Sequence, residues 1–375
     1  MPDSRITERH CQDKKSKKIE EEIFIMARNS EEKISFIMPT SKRRKLSSFP
    51  LEDLPDETIL KIFSFLDRKN LFRASLVSKR TYNISQDSSM LQRWLKINFY
   101  NKTLPTSLLE KVLAKGCKYL SLQHATLEGR LRLEKRISLK CLDISNCQSN
   151  IGMIYIWDEI FANCYSLEKL CLIDSRLILG VIKDMTALNG QTLQVLNMIN
   201  CRGLNLDKMK LLIDRCVQLK ELNLRDADIS EEAIDYLVKN LTPNIEKLSL
   251  ANQEYFIGDN EIKTLVSRCK NLNSLDLRNT GIGDDSLTAI IENLQDTLEN
   301  LNVLDNRISY RSLEKLDSCQ LLMFLKCDGL DRHSVNRLKR HLPGVEVNKR
   351  GSYFSVASSA YKEFKKHSHP WVQPN

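Results

Sequence analysis

The sequence has no apolar run long enough to cross a membrane and no signature of a catalytic site. No stretch approaches the roughly 18 consecutive apolar residues that a membrane span needs. The N-terminal residues MPDSRITERHCQDKK contain no apolar segment, so we expect no secretory signal. The patterns GxxxxGK(S/T), GxGxxG, GxSxG and HExxH are absent as well. Without a catalytic constellation, the chain is predicted not to be an enzyme.

Cysteine and histidine are too dispersed to predict a metal site or a disulfide framework. The 11 Cys include no CxxC pair, and thiols in a reducing compartment are usually small buried apolar groups. His367 and His369 form an H-x-H pair, but zinc needs about four ligands and no others lie near them in sequence. We therefore expect no metal and no cofactor.

The excess of positive charge belongs to the two ends of the chain. The net charge is +9, yet residues 1–48 carry 12 Lys and Arg against 8 Asp and Glu, and residues 348–375 carry 5 against 1. The intervening chain is nearly neutral, which disfavours nucleic-acid binding by its folded part. Residues 1–48 are predicted to be a disordered basic arm. The arm contains a basic run, Lys42, Arg43, Arg44 and Lys45, that is either a nuclear import signal or a solvated run of charges. We favour the import signal, which implies that the protein is found in the nucleus and the cytoplasm.

Residues 49–98 are predicted to form a small all-helical module. After Leu54-Pro55-Asp56-Glu57, apolar residues recur at spacings that place them on one face of a helix, at Ile59, Leu60, Phe63 and Leu66. Pro55 suits the first turn, and Asp56 and Glu57 favour the positive end of the helix dipole. A bundle of this size has a marginal core, so surplus apolar surface would be covered by a partner or by the next domain.

Residues 99–347 contain an internal repeat, L-x-x-L-x-L. Its middle leucines recur every 24 to 28 residues, at Leu142, Leu170, Leu196, Leu222, Leu248, Leu275, Leu301 and Leu325, with a degenerate earlier copy at Leu120 and Leu122. This period is typical of leucine-rich repeats, in which each unit supplies one short strand and one helix. The predicted fold is therefore α/β, a helical module followed by a curved solenoid with strands on the concave side and helices on the convex side.

Cysteines recur at fixed positions in this repeat. Cys164, Cys216, Cys269 and Cys319 each lie three residues before the first leucine position, and Cys147 and Cys201 lie three residues after the last one. Recurrence at fixed positions favours a packing role, because stacked units keep these thiols in rows rather than bringing them to one point.

Leu54-Pro55-Asp56-Glu57, Ile62-Phe63, Val77 and Ser78-Lys79-Arg80 resemble the F-box motif, with Thr81 and Leu91 where that motif usually has Trp. An F-box followed by repeats of about 26 residues resembles the F-box/leucine-rich-repeat family. The resemblance implies the substrate-recognition subunit of an SCF (cullin-RING) ubiquitin ligase, itself non-catalytic. Its implied partners are the S-phase-kinase-associated adaptor, the cullin-RING core and a cell-cycle protein substrate, phosphorylated or not, that is marked for proteasomal degradation.

The segment after the repeats supports a finer resemblance. Leu342-Pro343, Val347-Asn348 and Phe354-Ser355 are similar to the post-repeat segment of one branch of this family. In that branch the tail folds back along the concave face, and a small cyclin-kinase-subunit accessory protein helps to read a phosphorylated degron. The resemblance therefore implies the same role for the tail, residues 348–375, and the same kind of accessory partner.

Two sets of candidate binding residues follow. The apolar face expected to bind the adaptor, some of which must also hold the module together, consists of Leu54, Pro55, Ile59, Ile62, Phe63 and Leu66. The substrate is expected on strand positions that alternate with the leucines, Glu221, Arg225, Lys247, Asp276, Arg278, Asn300 and Asn302, where Arg225, Lys247 and Arg278 could pair with a phosphate or an acidic degron.

Two alternative functions stay open. Leucine-rich-repeat arrays also serve as non-catalytic binding scaffolds with no role in ubiquitin transfer, and fold alone does not decide between the two. A nucleic-acid binder that uses residues 1–48 would show steep salt dependence, and the neutral body disfavours it.

Overall fold

The computed structural model describes residues 54–66, 74, 77–85, 87, 96–114, 116–253, 257–327 and 331–348. The predicted arm over residues 1–48, with Lys42, Arg43, Arg44 and Lys45, lies outside the described residues. So does the predicted tail, apart from Asn348 at its start.

The described part of the helical module contains two helices, α1 (Asp56–Phe63) and α2 (Lys79–Ser85). Pro55 precedes α1 with its carbonyl accepting from the backbone N–H groups of Thr58 and Ile59, so the missing N–H of proline costs no hydrogen bond there. Ile59 and Phe63 pack with Ile84 of α2 into a small core, separate from the core of the repeats.

The repeats form one parallel sheet with sequential strand order, as the leucine pattern predicts. The described residues place 11 strands in it. These are β1 (Lys96–Asn98), β3 (Tyr119–Ser121), β5 (Cys141–Asp143), β7 (Lys169–Cys171), β8 (Val195–Asn197), β9 (Glu221–Asn223), β10 (Lys247–Ser249), β11 (Ser274–Asp276), β12 (Asn300–Asn302), β13 (Phe324–Lys326) and β14 (Glu346–Val347). A second parallel sheet, which the sequence pattern did not predict, joins β2 (Thr103–Pro105), β4 (Thr126–Glu128) and β6 (Gln148–Ser149).

Helices connect most successive strands and pack side by side. They are α3 (Thr106–Ala114), α4 (Met153–Asn163), α5 (Leu179–Asn189), α6 (Leu206–Arg215), α7 (Glu231–Asn240), α8 (Asp259–Arg268), α9 (Asp284–Leu294), α10 (Tyr310–Glu314), continued by a 3₁₀ turn (Lys315–Ser318), and α11 (Arg332–His341). The connection from β3 to β5 contains β4 and no helix, so that repeat lacks the predicted helix. No helix among the described residues is both long and apolar enough to span a membrane.

The leucines of the pattern hold the repeats together. From β3 to β13 the middle leucine of each strand pairs in register with that of its neighbour, as Leu222 does with Leu196 and Leu248, and all three are buried. Ile97 and Val347 take this place in β1 and β14. Each unit buries its apolar face only against adjacent units, so the stack itself is the core. The sheet begins at β1, inside the range predicted for the helical module, so the solenoid starts at residue 96 rather than at 99.

A left-handed residue ends the turn after each strand. Asn146, Asp174, Asn200, Asp226, Asn252, Asn279 and Asp305 occupy the same repeat position with φ between 50° and 59°. Asn and Asp tolerate this region better than other residues with a side chain. Asn101 and His124 occupy the same position, with φ of 50° and 56°, so one turn conformation recurs in nine successive repeats from Asn101 to Asp305.

The recurrent cysteines are structural, as predicted. Cys164, Cys216, Cys269 and Cys319 are buried, and each ends a helical segment as its C-terminal cap residue. Cys147 and Cys201 donate through Sγ to the carbonyls of Leu122 and Leu172 in the preceding repeats. Asn306 occupies the same position as these two, and its Nδ2 donates to the carbonyl of Leu277 over 2.7 Å.

Polar side chains at the third strand position cap the following turn. Oδ1 accepts from the backbone N–H two residues later in five strands, through Asp143, Asn197, Asn223, Asp276 and Asn302. All five residues are buried. The turn after each of these strands therefore depends on one short amide or carboxyl side chain.

Replacing Asn306 with Ala should destabilise the C-terminal repeats strongly. Its Oδ1 accepts from the N–H groups of Thr280, Gly281 and Ile282, and its Nδ2 donates to two carbonyls. Losing these partners at a partly buried turn costs about 3 kcal/mol of unfolding free energy. Urea unfolding followed by circular dichroism measures this. The control Asn260→Ala, at an exposed helix position, should stay within about 0.5 kcal/mol. Equal effects would show that Asn306 has no special role.

Replacing Asp276 with Asn should stabilise the protein at neutral pH. Burial raises the pKa of Asp276, opposed by hydrogen bonds from the Arg278 N–H and the Ser249 hydroxyl. The folded state therefore binds more protons, and stability falls as pH rises from the unfolded pKa of about 3.9 through the folded pKa. Asn keeps the cap, as Asn302 shows one repeat later.

The gain from Asp276→Asn should therefore be larger near neutral pH than at about pH 4. Urea unfolding at both values measures it, and the exposed Asp296→Asn is the control. A destabilised variant at neutral pH would show that the Asp276 carboxylate is required.

Candidate functional site

Four large apolar side chains of the small helical module are exposed. Phe65 is 81% exposed, Val77 72%, Tyr82 45% and Ile62 40%. We call these four residues the module patch. These side chains are candidates for contact with another protein, because exposed apolar surface that is contiguous commonly marks an interaction site.

The six residues predicted to bind an adaptor separate into two groups. Ile59 and Phe63 are buried in the module core, and Leu54 and Leu66 are half-buried against it. Pro55 and Ile62 are exposed. The buried pair acts by holding the module together, and only the exposed side chains are open to a partner as the module stands.

Phe65, Val77 and Tyr82 were not among the predicted site residues. Ile62 lies three residues after Ile59, on the face predicted for the core, and Phe65 lies beyond the end of α1. Helical spacing alone therefore does not identify either side chain as exposed.

An arginine ties the two helices of the module at one end. Arg80 of α2 donates through Nε to Asp56 Oδ1 over 2.9 Å and through Nη2 to the carbonyl of Leu54 over 2.6 Å. The ion pair is largely solvent-exposed, so it contributes little energy. The carbonyl contact instead fixes how the chain enters α1.

The strand face is the side of the main sheet opposite the inward leucines, and it is the predicted concave side. Glu221 and Lys247 lie on it in adjacent strands, with Lys247 Nζ 2.8 Å from Glu221 Oε1. Glu221 is buried and Lys247 half-buried, which shields this pair from water better than the other ion pairs of the described residues. The second oxygen of Glu221, Oε2, is buried and accepts no hydrogen bond from the described residues.

The other two cations predicted to read an acidic group are also paired. Arg225 Nε lies 2.9 Å from Asp226 Oδ2, and Arg278 Nε lies 2.7 Å from Asp305 Oδ2. Both carboxylates belong to the left-handed turn positions at the end of the strands. A phosphate at either arginine would therefore compete with a carboxylate already in place.

The three remaining predicted substrate residues differ in how far they are available. Asp276 and Asn302 are buried and cap the turns that follow them, whereas Asn300 is half-buried. Burial raises the pKa of both Asp143 and Asp276. Hydrogen bonds from Ser145 and Gln123 oppose this rise at Asp143. These carboxyl groups are built into the sheet, so they shape the strand face more than they offer contacts.

The cysteine thiols of the described residues are mostly buried. Burial raises the pKa of Cys117, Cys147, Cys201 and Cys216 to about 12, so these thiols stay protonated and unreactive at neutral pH. Over the described ranges, no group of three His, Cys, Asp or Glu residues could hold a metal ion. Two features remain as candidate sites, the module patch and the strand face.

Comparison with known families agrees with this division. Residues 51–93 match the F-box domain family, and residues 107–373 match the SKP2 LRR domain family. The members of F-box/leucine-rich-repeat families are typically non-catalytic adaptors.

Individual relatives are distant. The chain is 20% identical over 310 residues to F-box/LRR-repeat protein 21 of Bos taurus, covering 79% of this chain and 58% of that one. The mouse (Mus musculus) protein of the same name is 22% identical over 222 residues, covering 52% and 50%. A putative F-box/LRR-repeat protein of Arabidopsis thaliana is 22% identical over 338 residues, covering 79% and 71%. The chain thus spans little more than half the length of the two F-box/LRR-repeat proteins 21.

Among solved structures, the yeast Rad7 and Elc1 complex has a chain that is 16% identical, with a TM-score of 0.39, over 90% of this chain and 98% of that one.

The F-box match lies on the helical module, and the repeat match covers most of the solenoid and extends beyond it. The chain belongs to the F-box/leucine-rich-repeat family, with an F-box domain followed by a leucine-rich-repeat domain of the SKP2 type.

Proposed function

We propose that this protein is the substrate-recognition subunit of an SCF (cullin-RING) ubiquitin ligase, with the F-box binding the S-phase-kinase-associated adaptor and the repeats binding a protein substrate. The observation that carries the proposal is the module patch on a matched F-box domain. Phe65 and Val77 are too exposed to contribute to the module core, and aromatic and aliphatic anchors of this kind dominate protein interfaces when buried by a partner.

The function requires placement rather than chemistry on this chain. The adaptor and the cullin-RING core would hold the receptor, and the receptor would hold a substrate lysine near a charged ubiquitin-conjugating enzyme. The rate gain comes from the high effective concentration of two reactants held on one assembly. A continuous parallel sheet suits this task, because it holds the side chains of successive repeats at fixed spacings from one another.

The strand face favours a particular substrate chemistry. Glu221 Oε2 is a buried acceptor without a partner among the described residues, which carries a desolvation penalty. A substrate N–H or cationic group that donates to this oxygen would remove the penalty. Arg225, Lys247 and Arg278 already hold carboxylates. We infer that the central strand face reads a hydrogen-bond donor and that a phosphate on the degron is read elsewhere.

That inference bears on the finer resemblance. A phosphorylated cell-cycle substrate would need further cations, which the proposed cyclin-kinase-subunit accessory protein would supply. The match of the repeats to the SKP2 LRR domain family supports this partner. Degradation of the substrate by the proteasome and a location in nucleus and cytoplasm belong to the same proposal. Location depends on Lys42, Arg43, Arg44 and Lys45, outside the described residues.

Replacing the module patch should abolish adaptor binding without unfolding the protein. In Phe65→Ser/Val77→Ser both changed side chains are exposed, so stability should change by less than about 0.5 kcal/mol. Loss of two anchors should weaken binding of the purified adaptor at least tenfold, about 1.4 kcal/mol. Calorimetric titration of the full chain measures it.

The matched control is Leu321→Ser/Met323→Ser, which removes two apolar side chains exposed by 51% and 46% on the repeats. It should bind the adaptor like the wild type. If the wild type fails to bind the adaptor at all, the chain is a leucine-rich-repeat scaffold. If it binds and the patch variant binds equally well, the adaptor uses another surface.

A further inference from the structure

The last helix of the solenoid, α11, has a charge unlike that of the helices before it. Its sequence RHSVNRLKRH contains four Lys and Arg, two His and no acidic residue. By contrast, α7 has three acidic residues and one basic, and α9 has three acidic residues and no Lys or Arg. The positive charge is therefore concentrated at the C-terminal end of the described solenoid.

Part of this charge is used to attach α11 to the preceding repeat. Leu338 is fully buried and anchors the helix. Arg337 Nε lies 3.4 Å and His341 Nε2 3.2 Å from Glu314 Oε1 on α10. The Arg337 guanidinium also lies over the Tyr310 ring, 5.5 Å from its centroid. Asp331 caps the helix start by accepting from the Ser334 N–H over 2.7 Å. Arg337 and His341 are therefore already paired with Glu314, and the carboxylate of Asp331 is already bound at the start of the helix.

Three cations remain on the outer side. Arg332, Lys339 and Arg340 are exposed, and none has a carboxylate of the described residues within ion-pair distance. Arg332 and Arg340 are two turns apart on one side of the helix, about 12 Å along its axis. We call these three residues the terminal basic face. On the preceding repeat, Arg311 and Lys315 are exposed as well.

We propose that the terminal basic face is a docking site for an acidic segment of a partner protein, distinct from the module patch and the strand face. In an extended peptide, side chains on one side recur about every 6.6 Å, so carboxylates four residues apart span the distance from Arg332 to Arg340. Arg340 Nε donates to the Asn336 carbonyl over 3.4 Å, which leaves its two terminal nitrogens for a carboxylate. Arg332 and Arg340 can therefore form charge-assisted bonds with carboxylates without breaking an internal ion pair.

Other polyanions fit this surface less well. A helix that lies on a membrane needs apolar residues beside its cations, and the apolar residues of α11, Leu338 and Val335, are buried and half-buried. Single-stranded nucleic acid needs aromatic platforms for its bases, and Tyr310 is covered by Arg337. Residues 49–347 are close to neutral, which gives a nucleic acid no extended field to follow.

The test uses the full chain and a short fluorescent peptide in which Glu alternates with Ser. Arg332→Glu/Lys339→Glu/Arg340→Glu should weaken binding at least tenfold, because three exposed pairs each contribute up to about 1 kcal/mol. Wild-type affinity should fall as salt rises. The control Lys183→Glu/Lys210→Glu/Arg268→Glu makes the same change in net charge at exposed positions on α5, α6 and α8, and should bind within about twofold of wild type.

Several outcomes would overturn the proposal. Equal weakening by both triple variants would mean that only net charge matters. Tighter binding of a single-stranded oligonucleotide or of anionic phospholipid vesicles at the same salt, lost in the α11 variant, would assign the face to that ligand. Self-association of the wild type that the α11 variant lacks would assign it to a second copy. If the Glu variant unfolds, Arg332→Gln/Lys339→Gln/Arg340→Gln replaces it, and unchanged peptide binding by that variant overturns the proposal equally.

Discussion

Each repeat buries its leucines against the next repeat. Because of this stacking, the backbone at both ends of every three-residue strand lies beside the core. There every N–H and C=O needs a partner. The strands are too short to supply these partners alone, so side chains at fixed repeat positions do so. Asn306 serves five backbone groups, Asp276 and Asn302 cap the turns after their strands, and Cys201 donates to the preceding repeat. The sequence of the turns follows from this requirement.

The same requirement limits what the strand face offers to a partner. The sequence pattern predicts that side chains alternating with the leucines are available to a partner. Several of them are instead bound to other groups of the same chain. Glu221 and Lys247 neutralise each other, and Asp276 holds the Arg278 backbone. Under the proposed function, recognition by the repeats depends on the few groups left over, such as Glu221 Oε2. The cations of the terminal basic face form no ion pair with the described residues, although Arg340 Nε donates to the Asn336 carbonyl over 3.4 Å.

The repeat, its period and its alternating burial could be predicted from the sequence because leucine spacing reports directly on which side chains point inward. The left-handed turn was also readable, since Asn or Asp occupies one position from Asn146 to Asp305 in seven successive repeats. Ion pairs between repeats were harder to predict, because Glu221 and Lys247 are a full period apart and their contact depends on strand register. That Ile59 is buried and Ile62 exposed could not be predicted from local spacing, because it depends on where Ile84 of α2 packs.

The central claim is that the F-box binds its adaptor through the module patch and leaves the repeats open. Hydrogen–deuterium exchange of the full chain with and without the purified adaptor tests it most directly. The account predicts slower exchange in peptides that contain residues 62–66 and 77–82, and unchanged exchange in those that contain β7 to β12. Protection on β7 to β12 with none on the module would contradict it.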